Sequence, residues 1–297
     1  MSWEAVARKD FRDAVRSRWL WVLSALSILV FAGAAVGRLY VGGGNQQEAA
    51  ALLRGFLFYL KQGTAIIIPL TALVVTYAAI TRERESGTIK LLLSLPHSRD
   101  DVVLGKFLGR SAVVTLPVLI GFVVALLALL PAASGLDIFV YVQFALLTAL
   151  LGVVFVGIGV GVSAAANTNQ QALVGAGGLF AVFWFLWNFF VTGVNRAATD
   201  LFGLSTPDQF RLRLALKILN PIQAYKTLVD SLFMSDLEAR IRMFSMLFGM
   251  IPNQQAAQAL GPELSPAFGD AVVLAAMLLW LVLPLAVGIV WFREAEL

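Results

Sequence analysis

Long apolar runs dominate this chain and decide the solvent it must fold in. A helix that crosses a bilayer needs about 20 consecutive apolar residues. Six stretches meet or approach that length: Trp19–Tyr40, Thr64–Ile80, Ser111–Pro131, Ile138–Ser163, Ala172–Val194 and Ala271–Phe292. The second is the shortest and has the least clear start, and only "AAANTNQQ" separates the fourth from the fifth. Charged residues make up 13% of the 297 and hydrophobic ones 59%, whereas about a quarter of a soluble domain is charged. The sequence therefore predicts an all-α polytopic membrane protein with six transmembrane helices.

Loop charge sets the expected orientation, because basic residues concentrate on the cytoplasmic side. Arg8, Lys9, Arg12, Arg16 and Arg18 precede the first run. Arg82, Arg84, Lys90, Arg99, Lys106 and Arg110 lie between the second and third, against only Arg38, Arg54 and Lys61 in the short opposite loops. Six spans then put both termini in the cytoplasm and the segment 195–270 outside. That segment balances its acids and bases and carries three helix starts: "TPDQ" at Thr206, "NPIQ" at Asn220 and "SDLE" at Ser235. Each pairs a capping residue with Gln or Glu three positions on, and two have Pro at the first helical position. About three short helices are expected there, and "RMFSMLFGMI" (Arg242–Ile251) is apolar enough to dip into the bilayer surface.

Residues 1–18 read as an amphipathic interfacial helix ahead of a membrane domain over 19–297. Trp3, Val6, Ala7, Phe11, Ala14 and Val15 recur at helical spacing, and Arg8, Lys9, Arg12, Asp13 and Arg16 take the other face. Such a helix lies in the membrane plane, with Trp3 and Phe11 at the headgroups and Arg8, Arg12 and Arg16 toward anionic lipid. A simple topology anchor and an elbow that touches a cytoplasmic partner are both compatible with this pattern. The start does not read as a cleavable signal, since the apolar run behind it is too long. Two GxxxG pairs, Gly33/Gly37 and Gly157/Gly161, allow close helix approach, by default within one subunit and otherwise at a dimer seam.

Several chemistries are excluded. The expected spans hold no Asp, Glu, Lys or His, which argues against proton relays, ion-coupled carriers and intramembrane catalysis. There is no cysteine, so thiol catalysis and thiolate metal sites are out. The single histidine, His97, cannot supply a paired metal motif and reads as a solvated loop residue. "LGKF" at Leu104–Phe107 has the Gly-Lys of a phosphate loop but lacks its first glycine and the following Ser or Thr. No cofactor or metal is expected on this chain, and its small charge excess of 22 bases over 18 acids does not point to nucleic acid.

The segment 81–110 is the densest in signals. "RERESGTIKLLLSL" is helix-compatible up to Pro96, and Ser98, with Asp101 three residues on, caps a second piece that leads into the third span. Leu91, Leu92, Leu93 and Leu95 are too apolar to be fully solvated and need a groove. A charged collar with an apolar patch, hung between two spans, is a mechanical handle.

At "ERESGTIKLLLSLPHSRDDVVLGKFLGR" (Glu83–Arg110) the chain resembles the type 2 ABC transporter permeases, most of all the branch similar to nitrous-oxide-reductase maturation permeases. The basic amphipathic start, six spans and a long outer loop with a central Asn-Pro are similar as well. The resemblance implies a permease subunit, an exporter in direction, in the cytoplasmic membrane of a prokaryote. It implies a second permease chain, identical or related, and a separate ABC ATPase that binds ATP and Mg. Carried over, Glu83, Arg84, Glu85, Gly87 and Thr88 form the ATPase-docking collar, Leu91, Leu92 and Leu93 pack beneath it, and Arg99 and Lys106 flank the return to the membrane. The rival readings are a force-transmitting or scaffolding membrane protein that moves no solute, and a membrane enzyme of lipid or peptide processing, for which no motif is present.

Overall fold

The computed structural model describes residues 3–15, 46–89, 98–129, 137–244, 253–261 and 264–294, with position 25. The expected first span Trp19–Tyr40, the Gly33/Gly37 pair, Arg16, Leu91–Leu93 and His97 lie outside the described residues. Every described element is helical, and five helical stretches are long and apolar enough to cross a membrane: Leu57–Glu85, Arg99–Leu127, Ile138–Ala165, Asn169–Phe202 and Pro266–Glu294. They match the expected second to sixth spans but are longer. The charge-free windows that define a span from sequence are only the middles of these helices.

The chain divides into two compact units, one made of residues 1–177 and 281–297, the other of Gly178–Trp280. The first unit begins with α1 (Trp3–Val15). Next come α2 (Gln46–Thr76), the short α3 (Thr81–Glu85), α4 (Arg99–Leu129) and α5 (Ile138–Ala165). Helix α5 is apolar on all sides; Ile138, Phe139, Val142 and Leu146 near its start are exposed, and farther on Leu151, Val154, Phe155, Ile158 and Val160 are inaccessible. A helix of that kind occupies the middle of a bundle. Gly152 meets Val114 of α4 and Ile68 of α2, and Gly159 lies against Thr76. The Tyr141 hydroxyl donates to the Phe122 carbonyl (2.8 Å), and the ring of Phe122 packs edge-on against Tyr141 and Phe144.

The Gly157/Gly161 pair serves packing inside the subunit. A Cβ on Gly161 would sit 2.2 Å from the Pro284 carbonyl oxygen, and one on Gly288 would sit 2.6 Å from the Gly161 oxygen. These glycines let α5 touch the backbone of the last helix, α12 (Asp270–Glu294). One exclusion drawn from sequence needs correcting. Lys61 falls inside the second apolar helix and is buried, its ammonium 5.3 Å from the Phe58 ring. Helix α2 starts at Gln46, well before the apolar window, and so draws this lysine in.

In the second unit, Asn169–Ala181 (α6, shared with the first) continues through a π-helical stretch, Val182–Leu186, into α7 (Trp187–Phe202). Helices α8 (Thr206–Ile218), α9 (Pro221–Ser231), α10 (Asp236–Arg242) and α11 (Asn253–Leu260) follow, with a 3-10 turn at Pro266–Phe268. Asn220 caps α9 as expected, and Ser235 with Glu238 forms the expected capping box on α10. The cap of α8 is Ser205, one residue ahead of the expected Thr206. Helix α11 exceeds the three expected. It has no strong N-cap signal and is carried by Ala, Gln and Leu, all good helix formers. Of the segment Arg242–Ile251 expected at the bilayer surface, residues 245–251 lie outside the described residues, while Met243 and Phe244 are buried, with Phe244 edge-on to Phe210 at 5.4 Å.

Fully buried Arg240 fastens this unit. Its guanidinium donates to the Phe268 carbonyl (2.9 Å), the Ser231 hydroxyl (2.8 Å) and the Asp270 carboxylate (2.6 Å). It thereby joins α9, α10 and the start of α12.

Candidate functional site

The segment between α2 and α4 is built from local rules. Helix α3 ends at Ser86, and Gly87 takes a φ of +73°, a conformation that only glycine adopts freely. The Ser86 and Thr88 hydroxyls bond each other at 2.8 Å and reach back to the Glu83 carbonyl. The helix expected to run up to Pro96 is therefore broken at Ser86–Gly87. On the return, Ser98 and Asp101 cap α4 reciprocally: each backbone N–H donates 3.1 Å to the other's side chain. This is the expected capping pair, and α4 then runs on without a break.

The charged collar turns inward. Lys106, nearly inaccessible, donates 2.8 Å to Glu83 and lies 3.6 Å from Asp10. Arg110 pairs with Asp10 at 2.6 Å and also donates to the Val75 carbonyl. Four charges thus join α1, α2, α3 and α4. Arg84 donates to the Ala166 carbonyl (2.7 Å) and to Asn167 (3.1 Å), in the turn after α5. Glu85 accepts from the backbone N–H of Asn169 (2.7 Å) and from its side-chain amide, and so caps α6. A carboxylate at a helix start and a guanidinium at a helix end both suit the helix dipole.

Arg99 completes the ring. It donates to the Phe292 (2.7 Å) and Arg293 (2.9 Å) carbonyls at the end of α12, while Arg293 pairs with Asp100. A pocket of about 210 Å³ opens between Arg84, Ala164, Asn167, Trp291 and Glu294. Within the first unit, residues 81–89 and 98–110 are therefore bonded to α1, to the α5–α6 turn and to the end of α12. Arg82, Glu85, Ser86, Gly87 and Thr88 are left exposed.

Helix α1 packs through a signal that sequence reading passed over. Gly105 and Gly109 form a GxxxG pair within the "LGKF" region. A Cβ on Gly105 would sit 2.6 Å from the Val6 Cβ, and one on Gly109 would sit 2.9 Å from the Ala7 carbonyl oxygen. Val6 and Asp10 are buried, Trp3, Arg8 and Arg12 are exposed, and Phe11 is half-buried. Asp10 was not among the sequence candidates, since its role depends on α4 coming alongside.

The charged, glycine-broken turn is thus fastened to several helix ends of an apolar bundle. The chain matches the family described as ABC-2 family transporter protein over residues 4–297. It belongs to that family. The match covers nearly the whole sequence, and it makes this ABC-2 chain a membrane-spanning permease whose family implies an ATPase partner.

The permease is similar to "Probable ABC transporter permease protein NosY" of Stutzerimonas stutzeri, 33% identical over 228 residues, covering 74% of this chain and 78% of that one. The protein of the same name from Pseudomonas aeruginosa is 34% identical over 232 residues, with the same coverage of each chain. "Probable multidrug ABC transporter permease YbhR" of Escherichia coli is 29% identical over 119 residues, covering 40% of this chain and 31% of that one. The branch read from Glu83–Arg110 is the one these similarities support.

Proposed function

We propose that this ABC-2 permease couples ATP hydrolysis on a separate ATPase subunit to export of a substrate across the cytoplasmic membrane of a prokaryote. The single observation behind this reading is the fastened turn. Ser86, Gly87 and Thr88 are exposed, while Arg84, Glu85 and Arg99 beside them bond to helix ends of the first unit and Glu83 pairs with Lys106 of α4. A push on the tip reaches those helices together.

In this reading residues 81–110 face the cytoplasm and Gly87 and Thr88 contact the ATPase, with Leu91, Leu92 and Leu93 packing beneath the collar. Glu83, Arg84, Glu85, Arg99 and Lys106 carry the displacement. ATP and Mg stay on the partner. Six spans, both termini inside and residues 195–270 outside complete the topology, and a second permease chain completes the pathway. The exposed basic face of α1, with Arg8 and Arg12, and with Arg16 beyond it, lies against anionic headgroups beside Trp3 and Phe11. Export is the direction that the family resemblance at Glu83–Arg110 implies. The strongly apolar spans suit a lipidic, amphipathic or weakly polar substrate.

Co-purification tests this. The tagged chain, extracted in mild detergent, is expected to bring an ABC ATPase with it. Gly87→Trp should reduce the recovered ATPase about tenfold, the scale of a central contact residue, with the permease still folded. Glu83→Gln should keep the ATPase, because Glu83 faces Lys106. An ATPase retained by Gly87→Trp, or absent from the unaltered chain, would sink the reading.

A further inference from the structure

The Asn220–Pro221 pair has no part in the coupling turn. Asn220 is fully buried, and both ends of its amide are committed. Its Oδ1 accepts from the N–H groups of Ile222 (2.9 Å) and Gln223 (3.1 Å), which caps α9. Its Nδ2 donates 2.7 Å to the carbonyl of Phe183. Capping alone needs neither burial nor that second bond. Ser205 and Ser235 cap α8 and α10 from exposed positions.

Phe183 lies in the π-helical stretch Val182–Leu186. Such stretches inside α-helices are rare and concentrate at functional positions. Two tryptophans hold the same corner. Trp187 Nε1 donates to the Leu216 carbonyl (2.9 Å) and Trp280 Nε1 to the Leu219 carbonyl (2.6 Å). These acceptors lie at the end of α8, where carbonyls lack partners in their own helix. The Phe183 ring meets Trp280 edge-on at 4.7 Å. The α8–α9 corner is thus bonded to the π stretch, to α7 and to α12.

We propose that this corner is a gate on the permeation path and that Asn220 is its positioning residue. With the Asn220–Phe183 bond made, the π stretch is held and the corner is closed. When the bond breaks, Val182–Leu186 rewinds to α-helix. Taking up one residue turns the rest of the span, Trp187–Phe202, by about 100° and withdraws Trp187 from Leu216. The inference rests on the permease reading but needs no docked ATPase.

The test uses the absence of cysteine from the chain. Thr227, buried in α9, becomes Thr227→Cys, the sole thiol. Its labelling by a small cationic methanethiosulfonate is timed on the full chain in nanodiscs, without nucleotide or ATPase, so a failed docking reading leaves the result intact. Slow labelling is expected with Asn220 present. Asn220→Ser can still cap α9 but is too short to reach Phe183, and should speed labelling about tenfold, the scale of one lost buried hydrogen bond. Deleting the exposed Phe185 removes the extra residue and should speed it equally, and Asn220→Ser should then add nothing. Fast labelling in the parent, no acceleration in a folded variant, or additive effects would overturn the proposal. If Asn220→Ser does not fold, the Phe185 deletion alone decides by the same criterion. Loss of folded protein in both also overturns it, since a gate bond must break without loss of the fold.

Discussion

Asp10 and Lys106 are buried charges at a place where a leucine and a methionine would fill the same space. Buried ion pairs are seldom more stable than apolar replacements, yet removing one partner costs about 3–5 kcal/mol. Such a pair therefore penalises any arrangement in which α1 and α4 are out of register. Lys217 shows the opposite economy. It is buried, its ammonium donates to the Met243 carbonyl, and it lies over the Phe244 ring. Burial, followed by the nearby Arg213, lowers its pKa from 10.5 to about 8. The unfolded chain then holds the proton between about pH 8 and 10.5 while the folded chain has released it. Stability should rise with pH across that window. Melting of the purified chain near the two ends of the window checks this, and Lys217→Met should flatten the rise. A rise of the same size in Lys217→Met would assign the effect to another group.

Helix α1 changes meaning once it is seen as an element packed on another. Periodicity describes it as a float at the interface, whereas Val6 and Asp10 are buried against Gly105, Gly109, Lys106 and Arg110. Glycines at i and i+4 bring two helices close together, and the charges fix their register. Helix α1 should then move with the coupling turn. Spin labels at Arg8→Cys and Ser86→Cys, both exposed positions, are expected to give one narrow distance, unchanged by ATPase and nucleotide. Asp10→Leu combined with Lys106→Met should broaden it. A broad distribution in the unaltered pair would mean that α1 floats free of the turn.

At the scale of the whole molecule, the proposed topology puts the α3–α4 turn on one side of the membrane and the α4–α5 connection on the other. Single cysteines at Ser86 and Asp137, exposed positions in a chain without native cysteine, should react with an impermeant maleimide from opposite sides. In intact cells only Asp137→Cys should label, and Ser86→Cys should label after permeabilisation. The reverse pattern would invert the protein and remove the coupling turn from any cytoplasmic ATPase.

Much of this was legible from consecutive residues. Apolar length gave the five described spans, Ser98 with Asp101 and Ser235 with Glu238 marked helix starts, and the run from Glu83 to Arg110 carried the family. These are local quantities, set by hydrophobicity and by hydrogen bonds that reach three or four residues. The inward turn of Glu83, the partners of Asp10 and the second bond of Asn220 were not legible. Lys106 and Asp10 are far apart in the chain, as are Phe183 and Asn220, and nothing beside them in sequence names the partner. The π stretch hides for a related reason: its extra residue has no local signature and is held by a side chain from another helix. What the sequence by itself determined is that this chain is a membrane permease with a charged turn between two spans. Only the tertiary structure decided which of those charges stay exposed and which hold the bundle together, because a charge's burial depends on the helix packed against it.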